Sequence, residues 1–92
     1  MTKEERIEIL TEKANKLKAL AHPTRLLIIE ELMIQERCVN DFKDLIGCEM
    51  ATVSNHLKVL RKAGYIDKEK RGLQVYYFLV KDCVKILLGC LS

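Results

Sequence analysis

The sequence predicts one small domain, residues 1–92, mainly α with a single β-hairpin, and three observations carry that reading. Apolar residues recur at three- and four-residue steps through most of the chain, the spacing of helices that bury one face. Between Gly64 and Leu79 the period changes. Tyr65-Ile66 and Gln74-Val-Tyr-Tyr-Phe-Leu79 are strand-like runs, separated by a charged turn, Lys68 to Gly72. Finally, 92 residues that are 49% apolar have room for one modest core, with no internal repeat or linker to divide them.

Each element follows in order. Ile7, Leu10, Ala14, Leu17 and Leu20/Ala21 give a first helix one apolar stripe. Pro23 fits the first turn of a second helix, where a missing N–H costs nothing, and His22 before it reads as a cap or packing residue. That helix, Thr24 to about Ile34, is apolar on several sides (Leu26, Leu27, Ile28, Ile29, Leu32, Met33) and is expected at the buried centre. Asn40 is the expected N-cap of a short third helix, Asp41 to Ile46, which Gly47 ends. A fourth helix, Met50 to Ala63, buries Val53, Leu57 and Leu60, and Gly64 stops it. Val84, Leu87, Leu88 and Leu91 define a fifth helix from about Lys81. Two terminal helices with apolar stripes, on a domain too small to cover both, predict a homodimer through those helices.

The polar side of the fourth helix carries the chemistry. Thr52, Ser54, Asn55, His56, Lys58, Arg61 and Lys62 are hydrogen-bonding or cationic, and Lys68, Lys70 and Arg71 follow in the hairpin turn, with Gln74 just beyond. Small polar groups on a helix beside a basic hairpin suit reading a DNA groove and gripping its phosphates. Charge distribution agrees. Residues 1–49 hold eight Lys/Arg against ten Asp/Glu, whereas residues 50–92 hold eight against three, so the positive field sits on the reading half. A winged-helix module that binds protein is the competing reading, and phosphate neutralisation accounts for the cations better. An enzyme has little support: no histidine has a carboxylate or thiol partner by motif, there is no glycine-rich phosphate loop, and the chain is short for a catalytic cleft. No apolar run reaches membrane length and Met1-Thr-Lys-Glu-Glu5 has no signal-peptide pattern, so a cytoplasmic protein with reduced thiols is expected.

His22-Pro-Thr-Arg-Leu26, then Val53-Ser-Asn-His-Leu-Lys-Val-Leu-Arg-Lys-Ala-Gly64, then Gly72-x-x-Val75-Tyr76-Tyr77 resemble the ArsR/SmtB family of bacterial and archaeal repressors. The motifs occur in order across nearly the whole chain. The resemblance implies a dimeric winged helix-turn-helix that represses its target promoter and usually lets go when a metal, metalloid or thiol oxidant binds. Carried over by position, the third and fourth helices form the helix-turn-helix, with the fourth in the major groove. Thr52, Ser54, Asn55 and His56 then face bases or phosphates, and Lys68, Lys70 and Arg71 belong to the wing. Where relatives commonly carry Ser-Gln before the reading helix, this chain has Glu49-Met50. Methionine offers no bidentate hydrogen bonds to adenine, so the relatives' operator does not carry over.

Cys38, Cys48, Cys83 and Cys90 have no C-x-x-C spacing, which removes a zinc-finger reading. Metal-sensing relatives carry Cys-Val-Cys where this chain has Cys38-Val39-Asn40, and Cys83 falls near a metal-ligand position of the zinc-sensing branch. Helix geometry adds that Cys83 and Cys90, seven apart, share one face about 10 Å apart along the axis. Antiparallel crossing in a dimer would set Cys83 of one chain against Cys90 of the other. Two readings stay open: thiols (Cys83, Cys90, then Cys38) that hold a soft metal or metalloid ion or sense an oxidant, or cysteines that only pack in an effector-independent regulator. Cys48 reads as core between the third and fourth helices.

Overall fold

The structure, a computed structural model, describes residues 1–80; the expected fifth helix, with Cys83 and Cys90, lies outside the described residues. In chain order the elements are α1 (Lys3–Leu20), α2 (Pro23–Ile34), β1 (Arg37–Cys38), α3 (Val39–Ile46), α4 (Met50–Lys62), β2 (Ile66–Arg71) and β3 (Gln74–Leu79). Four helices and an antiparallel hairpin make a winged helix-turn-helix, as the sequence predicts. Among the described residues no helix is long and apolar enough to cross a membrane.

Helix α1 starts where the Thr2 hydroxyl accepts the Glu5 N–H at 3.1 Å, with Glu4 and Glu5 favouring the positive helix end. Its apolar stripe is real but uncovered. Only Ala19 and Leu20 are buried, while Ile7, Leu10 and Leu17 are 52%, 54% and 56% exposed. At α2 the Nδ1 of His22 accepts the Thr24 N–H at 3.1 Å and Pro23 takes the first helical position, so His22 is the expected cap. Ile28, Ile29 and Leu32 place this helix at the centre of the core. Phe42 from α3, Val53, Leu57 and Leu60 from α4, and Ile66 from β2 complete it with essentially no exposure. The Tyr65 hydroxyl donates to the Lys16 carbonyl at 2.8 Å, fastening the entry to the hairpin onto α1.

Three expectations need correction. Helix α3 begins two residues early, at Val39, and its cap is Cys38 rather than Asn40. The reason is Asp41, whose Oδ2 accepts the Cys38 backbone N–H at 3.1 Å and the thiol at 3.3 Å, satisfying the helix start from inside its first turn. The hairpin turn is tighter than expected. Pairing runs from Ile66↔Leu79 to Arg71↔Gln74, so only Gly72 and Leu73 remain as loop, and Lys68, Lys70 and Arg71 lie in strand β2. Gly72 makes this possible, with φ +64 at the first loop position of a two-residue hairpin. The third correction is an added strand. Arg37 and Cys38 pair with Tyr77 and Tyr76, giving sheet order β1-β3-β2. Two residues carry no readable alternation, so β1 has no sequence signature.

Candidate nucleic-acid interface

Helix α4 sorts its residues by period. Val53, His56, Leu57 and Leu60 face inward, and Thr52, Ser54, Asn55, Lys58, Arg61 and Lys62 are all exposed. Beside that outer face, strand alternation puts Lys68 and Lys70 on the same side of the hairpin as buried Ile66, and both are exposed. Between helix and wing lies a cleft of about 390 Å³ lined by Ser54, Leu57, Lys58, Arg61, Lys68 and Tyr77. Lys58, Arg61 and Lys68, with the hydroxyls of Ser54 and Tyr77, give this cleft groups that could hold an anion.

One carboxylate organises it. Arg61 Nε donates to Asp67 Oδ1 at 3.0 Å, and the Lys68 backbone N–H donates to the same oxygen at 2.8 Å. The Lys68 N–H first, and Arg61 second, hold the Asp67 carboxyl below the ordinary carboxylate range. Asp67 therefore remains an anion that joins the last turn of α4 to the start of the wing.

Two sequence-predicted residues lie elsewhere. His56 is only 8% exposed and does not lie on the outer face of α4. It packs against α2, its ring centroid 4.6 Å from that of His22, and its Nδ1 accepts from Arg25 Nε at 3.2 Å. Burial first, then the neighbouring His22 and Arg25, lower its pKa. The signal was present in the spacing, since residues 53, 56, 57 and 60 form one helix face; the polarity of histidine concealed it. Arg71 lies on the opposite face of β2 from Lys68 and Lys70. Its guanidinium pairs with Glu36 and, at 3.2 Å, with Glu69, and sits 5.2 Å from the Tyr76 ring centre. It ties the wing to the segment before β1, a neutralised brace in place of the expected free cation. Gln74, exposed, accepts the Tyr76 hydroxyl at 3.1 Å. Sequence reading missed Asp67, because an acid in the mixed-charge run Asp67-Lys-Glu-Lys-Arg71 looks like ordinary surface.

Of the sensing candidates, Cys38 is buried at the α3 cap, and Cys83 and Cys90 fall outside the described residues. Cys48 packs partly buried against the core, as expected. Among the described residues no three His, Cys, Asp or Glu side chains converge as metal ligands.

Residues 22–68, from the α2 cap to the first cation of the wing, match the bacterial regulatory protein, arsR family. The chain belongs to the arsR family. It is 39% identical over 72 residues to the HTH-type transcriptional repressor SmtB of Mycobacterium tuberculosis, covering 78% of this chain and 53% of that protein. The chain thus spans about half the length of that relative. The crystal structure of NolR from Sinorhizobium fredii superposes with a TM-score of 0.88 at 30% identity, over 100% of this chain and 91% of the other. The solution structure of a homodimeric winged helix-turn-helix DNA-binding domain from Mycobacterium bovis, a possible ArsR-family transcriptional regulator, gives 0.85 at 26% identity over 99% and 84%. The arsR-family match and the fold therefore agree over the elements that build the α4–wing cleft.

Proposed function

We propose that this arsR-family chain is a sequence-specific DNA-binding repressor that acts as a homodimer. The observation that carries the reading is the pairing of an exposed polar α4 face with a cationic cleft under the wing. Thr52, Ser54 and Asn55 meet base edges or the phosphates flanking them, and Lys58, Arg61, Lys62, Lys68 and Lys70 neutralise backbone phosphates. Gln74 shares the Arg71 face of the hairpin, where it accepts the Tyr76 hydroxyl, so it is not counted among the cleft-side contacts. His56 and Arg71 are left out of this set because one is buried and the other lies on the face of β2 away from the cleft, held between two carboxylates, whereas Arg61 lines the cleft beside its single partner Asp67. The similar M. bovis domain, described as homodimeric and DNA-binding, supports the assembly, as does the uncovered stripe on α1.

The test is fluorescence anisotropy of the DNA upstream of this protein's own coding region, titrated with reduced protein across a range of salt. Specific binding is expected at roughly 10⁻⁸ to 10⁻¹¹ M at moderate salt. It should weaken steeply as salt rises, because counterions released from phosphates drive it. Binding that ignores salt, or that does not distinguish this DNA from random sequence, would defeat the reading and favour a protein partner. Repeating the titration after treatment with a soft metal ion or a mild thiol oxidant tests whether Cys38, Cys83 and Cys90 serve as the release switch. An unchanged affinity would leave them as packing residues.

A further inference from the structure

We propose that His22, Arg25 and His56 form a proton-sensitive anchor beneath the reading helix, which holds α4 in place when neutral and releases it on acidification. The proposal rests on the DNA-binding reading above and adds a regulator that it does not contain, the proton. Its basis is a cluster with an unusual hydrogen-bond requirement. Arg25 Nε is a donor that cannot give up its proton, and it bonds His56 Nδ1 at 3.2 Å, so His56 Nδ1 must present a lone pair. The His22 Nδ1 is likewise an acceptor, committed to the Thr24 N–H at 3.1 Å. Arg25 NH1 is steered toward the Ala19 carbonyl at 3.4 Å, which fixes the guanidinium between α1, α2 and α4.

A proton arriving at His56 Nδ1 sets two donors face to face. It also adds a cation beside Arg25, 4.6 Å from the His22 ring, in a site shielded from water. The groups that act on the charge of His56 are His22, the cap of α2, and Arg25 in its first turn. From α1 the cluster meets the Ala19 backbone carbonyl, and no carboxylate of α1, α3 or β2 is among the charges acting on His56. Among the described residues, then, no carboxylate welcomes the proton. Relief requires α4 to move away from α2, and the exposed Ser54 and Asn55 immediately precede His56 on that helix. The direction of the effect is diagnostic. Acidification makes any protein more positive and ordinarily strengthens its attraction to DNA. An anchor of this kind does the reverse.

The experiment uses the full chain. Affinity for the upstream DNA is measured at constant salt from about pH 7.5 to about pH 5.5, across the ordinary histidine range. Imidazole and backbone amide NMR shifts are followed over the same range without DNA. Wild type is expected to lose affinity once His56 begins to protonate, by up to about tenfold per pH unit for each coupled proton and so up to about a hundredfold for the two His56 of a homodimer. His56→Gln keeps an acceptor for Arg25 but cannot take a proton, so its affinity should stay level or rise on acidification. In the NMR titration the amides of residues 52–58 should shift together with the His56 ring. Wild-type affinity that holds or rises throughout would overturn the proposal, as would α4 amides that stay still while His56 titrates. If His56→Gln does not fold, the wild-type titrations decide alone. If wild type binds no DNA even at the upper pH, the repressor reading fails separately, and the coupling of α4 amides to His56 still upholds or sinks the anchor.

Discussion

Lys70 and Arg71 are adjacent and equally charged, yet the pleat of β2 sends them to opposite faces and to opposite tasks. Lys68 and Lys70 sit on the cleft side, so replacing either with alanine should weaken DNA binding and reduce the logarithmic salt slope by about one per protomer, about two for the homodimer. Arg71→Ala removes a brace between Glu36, Glu69 and Tyr76, and should leave that slope nearly unchanged. Anisotropy across a salt series separates the two outcomes. His56 makes a prediction of its own about stability. Its folded-state pKa lies below the ordinary 6.5, so on acidification the unfolded chain takes up the proton first. The stability it contributes is complete above about pH 6.5 and drains away as pH falls through the lower folded value. Urea midpoints should therefore decline over that window in wild type and decline less in His56→Gln. Equal declines would mean that other groups control the acid limb.

At the scale of elements, the wing depends on a loop of two residues. Gly72 holds φ +64, and a Cβ added there meets nothing within 4 Å, so the cost of Gly72→Ala is backbone strain alone. That strain is about 1–2 kcal/mol, and it should appear as a lower denaturation midpoint with the core otherwise intact. An unchanged midpoint would show that the hairpin finds another turn. The same element shows why the wing was only partly legible. Aromatic and β-branched residues announced β3, and Gly72 announced a turn nearby. The four charges of Lys68-Glu-Lys-Arg71 looked like loop because nothing in their composition favours a strand; β3 imposes that conformation by pairing. Asn40 misled for a related reason. It is a good cap in isolation, but Asp41 reaching back to Cys38 satisfies the helix start earlier.

At the scale of the molecule, the described residues leave one face of α1 exposed along Ile7, Leu10 and Leu17. A stripe of that length on a domain of 92 residues calls for a second copy. Leu10→Asp combined with Leu17→Asp should shift the chain from dimer to monomer in analytical ultracentrifugation. Specific DNA affinity should fall by orders of magnitude, because a single reading helix contacts only one half-site. A double variant that remains dimeric would place the interface elsewhere.

The sequence alone determined the four described helices and their order, the core of α2 and α4 and the basic half, though not where α3 starts, because periodicity, glycine stops and charge are local properties written along the chain. It also marked most of the outer α4 face, since Thr52, Ser54, Asn55, Lys58, Arg61 and Lys62 fall off the apolar stripe whatever the partners. Tertiary structure decided which polar residues are not surface at all. His56 turns inward because Arg25 and His22, 31 and 34 positions away in the chain, provide it with polar company in the interior. Arg71 is neutralised by Glu36 across the sheet, and Arg61 is joined to the wing through Asp67. Such pairings depend on distances between elements, which no spacing within one element encodes.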